Sequence, residues 1–190
     1  MTDSVAQPRA KETPEPEISA LVAQAQQNPA AFAALYDQYV QLVYRYLYSR
    51  VANAQEAQDL TAQTFLSALE ALPRYRHKGY FSAWLFAIAR SKVMDHFRRR
   101  KHESEMDLPE VGDPTPDPLS QVIQTIERQQ LSQLIANLGE PDQDLIRLRY
   151  VAELSFAEIA ALLGRKEDTV KKSLYRLLAR LESQMEAQND

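Results

Sequence analysis

Four of the ten prolines lie between Pro109 and Pro118, within a stretch, residues 102–120, that carries six acids and no Lys or Arg. Proline fixes φ and removes a backbone donor, so this run cannot continue a helix. Like charges along it repel one another and extend the chain. The stretch predicts an extended acidic linker over 102–118, with one domain before it (18–101) and one after it (119–190). Each is near the lower size limit for a hydrophobic core of its own. Three more prolines, Pro8, Pro14 and Pro16, fall in the polar residues 1–17. That stretch predicts a disordered tail and does not read as a secretory signal.

Both parts carry apolar residues at spacings of three and four, the period of an amphipathic helix. Over Ala30–Arg50 the stripe is Phe32, Leu35, Tyr36, Tyr39, Val43, Tyr46 and Leu47. Over Ala54–Leu72 it is Leu60, Thr64, Ala68, Leu69 and Leu72, with Phe65 beside it, and Pro73 stops the helix. Phe81, Trp84, Leu85, Ile88 and Phe97 mark a third helix running into Arg98–Lys101. Downstream, four helices are predicted: Leu119–Leu138, one opened by Pro141 and carrying Leu145 to Val151, a short one over Phe156–Leu163, and a last one with Val170, Leu174, Leu177 and Leu181. Ser155 and Glu158 have the spacing of a capping box, and Gly164 suits a left-handed helix cap. No sustained two-residue alternation occurs. The fold class expected is all-α: two small helical domains, the second with a helix-turn-helix.

The whole chain is acidic, with a formal net charge of -4. Taken alone, that disfavours a nucleic-acid partner. The distribution says otherwise. Residues 74–101 hold nine Lys or Arg and one acid, Asp95, interleaved with Tyr75, Tyr80, Phe81 and Trp84. Cations that track a phosphate backbone, mixed with rings on which bases stack, suit single-stranded nucleic acid. Phe81 also fits as a core residue, and Trp84 as one half in the core. Residues 164–181 hold six bases and two acids. They form the second helix of the helix-turn-helix spanning Ser155–Leu181, the element that enters a DNA major groove. Phosphate neutralisation by such a helix supplies much of the affinity.

Other classes fit less well. The chain has no cysteine, hence no disulfide and no thiolate nucleophile or ligand. His77, His96 and His102 lack ligand spacing with one another, and His77 lies in a basic loop, so a metal-dependent nuclease is disfavoured. The longest apolar run, Ala83–Ala89, is far short of a membrane span.

The runs FAALYDQYVQLVYRY, EAQDLTAQTFLSAL and FSAWLFAIARSKVMDHFRRR resemble the promoter-melting domain of bacterial RNA polymerase sigma factors. DQDLIRLRYVAELSFAEIAALLGRKEDTVKKSLYRLLARL resembles their C-terminal helix-turn-helix domain. Two domains on a short acidic linker resemble the extracytoplasmic-function (ECF) group of the sigma-70 family.

The resemblance implies a protein that binds core RNA polymerase, directs it to promoters and carries out no covalent chemistry, without cofactor or metal. It implies a bacterial cytoplasmic location and an anti-sigma factor as regulator. Asp59, Gln63, Thr64 and Phe65 match the helix that docks on the polymerase β′ coiled coil; the C-terminal domain would meet the β flap. Arg76, His77, Lys78, Tyr80 and Trp84 match the −10 recognition and melting region, with Arg90, Lys92, Arg98 and Arg99 as phosphate contacts. Thr169, Lys171, Lys172, Ser173 and Arg176 match the −35 reading face. Three residues depart from the usual pattern: Lys166 where a capping Ser is common, Ser173 where Arg is common, and Gly139 where Pro is common. The acidic linker would mimic nucleic acid in a positively charged polymerase channel. The competing reading is a helix-turn-helix regulator that acts without joining polymerase; a regulator that mimics a sigma factor without supporting transcription is a further one.

Overall fold

The computed structural model describes residues 15–76, 79–104 and 126–189. These form eight α-helices, and no strand occurs among the described residues. The proposed linker lies outside them except for its first residues, since α4 continues to Ser104. Residues 1–14 of the proposed tail also lie outside; Glu15–Glu17, assigned to that tail, instead open a helix.

That helix, α1 (Glu15–Gln27), is not among those predicted from the sequence. Its apolar stripe, Ile18, Leu21, Val22 and Ala25, has regular three- and four-residue spacing, so the signal was present. Ile18, Val22 and Ala25 are buried as α1 packs across α2 (Phe32–Val51). The connection is short: Asn28 accepts a hydrogen bond from the Ala30 amide at 3.1 Å and Pro29 opens a single tight turn. Helix α2 ends at Ala52 in the left-handed conformation (φ 52°), its amide donating to the Tyr48 carbonyl. Asn53 then caps α3 (Ala54–Ala71) by accepting from the Glu56 amide at 3.0 Å. Side-chain oxygens at this position satisfy one of the orphan amides of a first turn. Leu72–Arg74 forms a tight turn at Pro73, and α4 (Phe81–Ser104) crosses back over α2 and α3.

The centre of this half is aromatic. Tyr46, Phe81 and Phe86 are fully buried. Phe86 meets Tyr46 edge-on at 5.5 Å, and Phe81 meets Tyr39 at 5.5 Å. Such pairs add about 0.5–1.5 kcal/mol beyond the area they bury.

Downstream, α5 (Ile126–Ala136) and α6 (Glu140–Ile146) are joined by a short turn. The sequence predicts one regular helix from Pro141 to Val151. Instead α6 widens into a π turn over Arg147–Val151, where the Ala152 amide reaches the Arg147 carbonyl at 2.9 Å. Glu153 follows at φ 58°, and Arg149 braces the bend by donating to the Leu154 carbonyl at 2.8 Å. Helix α7 (Phe156–Leu163) then starts at the predicted capping box: the Glu158 amide donates to Ser155 Oγ at 3.2 Å, and the Ser155 amide donates to Glu158 Oε2 at 2.6 Å. Gly164 ends it at φ 62°. Helix α8 (Glu167–Asn189) begins on schedule although Lys166 stands at its cap. Val170, Leu174, Leu177 and Leu181 are buried as predicted.

Candidate nucleic-acid interface

Two surfaces carry the candidate contacts. The first is a cleft of about 260 Å³ at the start of α4, lined by Tyr75, Arg76, Tyr80, Ala83, Trp84 and Ala87, and closed on one side by Ala161 and Leu162 of α7. Trp84 is half-buried: its ring lies 5.4 Å from Phe81 and 4.5 Å from Tyr75. Phe81 is fully buried. The division expected for the two rings, one core and one partly offered, is the one observed.

Tyr75 was seen in the sequence only as an interleaved aromatic, yet it forms one wall of the cleft. Burial, with Glu15 adding to it, raises the Tyr75 phenol above its ordinary value. Its backbone is held from far away. Gln26 of α1 donates its side-chain amide to the Leu72 carbonyl at 3.0 Å and to the Tyr75 carbonyl at 2.6 Å. No motif spacing links residues that far apart in sequence.

Of the residues assigned to this surface, Arg76 and Arg99 are exposed, and Tyr80 and Lys92 are half-buried. His77 and Lys78 lie outside the described residues. Arg98 is exposed but pairs with Asp95 one turn back. Arg90 is half-buried and already paired: its Nε and Nη2 donate to Asp144 Oδ2 at 3.0 and 2.8 Å.

The second surface is α8. Thr169, Lys171, Lys172 and Arg176 are exposed along it, and Ser173 is half-buried beside the core stripe. Tyr175, half exposed, joins them, its ring 6.0 Å from Phe156. Lys171 Nζ and the Arg149 guanidinium lie 6.0 and 4.9 Å from the same Phe156 ring. Arg180 ties the helix to α6 through Asp142 at 2.9 Å.

The four residues assigned to polymerase docking do not share a face. Asp59 and Gln63 are exposed on α3, but Thr64 and Phe65 are buried. Thr64 Oγ1 donates to the Leu60 carbonyl at 2.7 Å, and Phe65 packs edge-on against Tyr36 at 4.8 Å and Phe32 at 6.3 Å. Both lie on the apolar stripe of α3, which decides their burial. Leu66, exposed by 58%, is the apolar side chain that the outer face offers instead. It follows Phe65 directly, and only the helix phase separates the two.

Among the described residues no group of three or more His, Cys, Asp or Glu side chains is placed to hold a metal ion, and no helix is long and apolar enough to cross a membrane. His96 instead lies 3.0 Å from Glu56.

Residues 35–103 match the family model for sigma-70 region 2, and residues 128–181 match that for sigma-70 region 4. The chain is 37% identical over 166 residues to the ECF RNA polymerase sigma factor BldN of Streptomyces coelicolor; the match takes in 85% of this chain and 63% of BldN, so the chain spans less than two thirds of that relative. It is 33% identical over 152 residues to the RNA polymerase sigma factor YlaC of Bacillus subtilis, covering 78% of this chain and 87% of YlaC. The fold is also that of CnrH, solved in complex with the cytosolic domain of CnrY, with a TM-score of 0.63, 23% identity, and 88% and 96% of the two chains covered. With the predicted helix-turn-helix, the aromatic cleft and both sigma regions present in order, this chain belongs to the ECF group of the sigma-70 family.

Proposed function

We propose that this chain binds core RNA polymerase and directs it to promoters, reading a −35 duplex with α8 and a separated −10 strand at the Trp84 cleft. The observation that carries this reading is the pairing, on one chain, of an exposed basic recognition helix with a half-open aromatic cleft. A recognition helix alone would serve any duplex binder. The cleft adds a place where an unstacked base can be held. Extruding a base costs a few kcal/mol, and stacking returns about 1–3 kcal/mol per base. Tyr75 and Trp84 supply the stacking surfaces, and Arg76 supplies charge at the rim.

Lys171, Lys172 and Arg176 contact the −35 duplex, with Thr169 near the helix start. Asp59, Gln63 and Leu66 form the face of α3 that meets the polymerase, by the family's docking on the β′ coiled coil. The protein works in the bacterial cytoplasm, where its polymerase is. An anti-sigma factor is a fitting regulator, and the acidic linker follows the polymerase channel as a nucleic-acid mimic. The domain division is the one drawn from the sequence, with the helical part of the first domain extended to begin at Glu15.

Run-off transcription with core polymerase over a promoter library tests the reading. Core-dependent initiation at a defined promoter class is expected. Absence of core-dependent initiation at every sequence, with duplex footprinting by the chain alone, would favour the regulator that never joins polymerase.

A further inference from the structure

The two sigma regions meet along a seam of paired charges, and Asp144 of α6 sits at its centre. Asp144 is 4% exposed. Among the described residues its side-chain partners all lie on α2 and α4, in the other region. Tyr46 Oη donates to Oδ1 at 2.8 Å and Arg50 Nη1 donates to the same oxygen at 3.1 Å. Arg90 takes the second oxygen through Nε and Nη2 at 3.0 and 2.8 Å.

Arg50 Nη1 also pairs with Glu140 Oε1 of α6 at 2.7 Å. Without these two α6 carboxylates, the three side chains form a prepared anion site. Two guanidinium groups and a phenol converge from two rigid helices on the two oxygens of one anion. Guanidinium forks match carboxylate and phosphate geometry alike. Desolvation offsets most of the attraction within a buried ion pair, while leaving one of its charges unpartnered costs about 3–5 kcal/mol. The two guanidinium groups therefore need an anion, and a phosphate meets that need as the carboxylate does.

The position of the site says which anion. Arg90 lies on α4 six residues after Trp84, about 9 Å further along the helix axis and within the basic, aromatic stretch 74–101, so the backbone phosphate of a strand held at the cleft is the anion that fits. The seam also closes that cleft, since Ala161 and Leu162 of α7 line it. At the seam's edges Ser82 Oγ donates to Glu158 Oε1 at 2.5 Å, and Arg45 pairs with Glu153 at 2.8 Å.

We propose that Tyr46, Arg50 and Arg90 form a binding site for a nucleic-acid backbone phosphate, and that Asp144 fills it as an internal phosphate mimic while the two regions are closed on each other. Nucleic acid and the seam then compete for the same cations. This rests on the reading of α4 as a nucleic-acid surface and adds a regulation to it.

The test uses the free full-length chain, a fluorescein-labelled oligothymidylate and a salt series. Asp144→Asn removes the charge with little change of shape. It is expected to bind roughly threefold tighter at low salt. Its log–log salt slope should steepen by about 0.7, the contribution of one cation on a single strand, because Arg90 is freed while Arg50 keeps its pair with Glu140. Adding Arg90→Gln should remove that increment. Equal affinity and slope for Asp144→Asn and the parent would overturn the proposal, as would a gain that survives Arg90→Gln.

A second variant guards against misfolding of Asp144→Asn. The chain has no cysteine of its own, so Arg45→Cys with Glu153→Cys can be stapled across the seam by a short bis-maleimide. The stapled form is expected to bind the oligonucleotide about tenfold more weakly than the unstapled double variant, about two single-strand phosphate contacts' worth; no difference overturns the proposal. Neither measurement needs polymerase. Failed run-off transcription beside a gain in Asp144→Asn removes the sigma reading and leaves the anion site, and the reverse result removes the anion site alone.

Discussion

The two nucleic-acid surfaces are built in opposite ways. On α8 the candidate contacts, Thr169 to Arg176, sit on consecutive turns of one helix, and the core stripe Val170, Leu174, Leu177 fixes which way they face. The Trp84 cleft draws on α1, the Leu72–Arg74 turn and α4, and is closed by α7. A local site tolerates changes elsewhere in the protein. A site assembled from distant segments inherits the stability of all of them. The difference predicts where mutations act.

The largest effect should come from Phe81→Ala. Phe81 is 1% exposed and touches Tyr39, Tyr75 and Trp84, so its loss should cost about 3–5 kcal/mol in urea unfolding and collapse the cleft. A cost under 1 kcal/mol would mean the cleft is not built on this core. On α8, Arg176→Ala should instead leave unfolding unchanged and weaken −35 duplex binding by about 1–3 kcal/mol if it meets a base edge. Should it meet a phosphate, the salt slope drops by about 0.9 whatever the sequence. A fall in stability would contradict the local character of that site.

Gln26→Leu tests long-range assembly directly. It leaves two carbonyls without the amide that joins them, which costs about 1–3 kcal/mol. Promoter opening, followed by permanganate reactivity of unpaired thymines, should fall while −35 duplex binding holds. Equal loss of both would show that Gln26 serves general stability only. The smallest effect expected is Gly164→Ala. A side chain there meets no neighbour, but φ of 62° costs about 1 kcal/mol for alanine; a thermal melt checks it.

The same contrast explains what could be read in advance. The capping box at Ser155 and Glu158, the Gly164 cap, the Pro73 stop after α3 and the α8 stripe are short-range signals, and each occurs where its spacing puts it. Helix α1 carries such a signal in Ile18, Leu21, Val22 and Ala25, but Pro14 and Pro16 at its start give the same stretch the composition of a tail. The π turn at Arg147–Val151 had none, because its residues read as ordinary helix and only the bend into Glu153 requires the wider hydrogen bonds. The motif match gives Thr64 and Phe65 a surface role, whereas the apolar stripe of α3 places them inward, where they are buried.

The acidic total of the chain misled for a related reason. Charge summed over a sequence ignores which charges meet. Arg50 and Arg90 count as bases in the sequence, but in the folded chain Arg50 pairs with Glu140 and Asp144 and Arg90 pairs with Asp144, while Lys171, Lys172 and Arg176 remain exposed. Helical periods, caps and the family of the chain follow from residues a few positions apart, and the sequence alone determined them. Which cations stay free, which ring lines the cleft and how the two regions close on each other depend on contacts between residues tens of positions apart. Those were decided by packing, because burial and pairing are properties of neighbours in space.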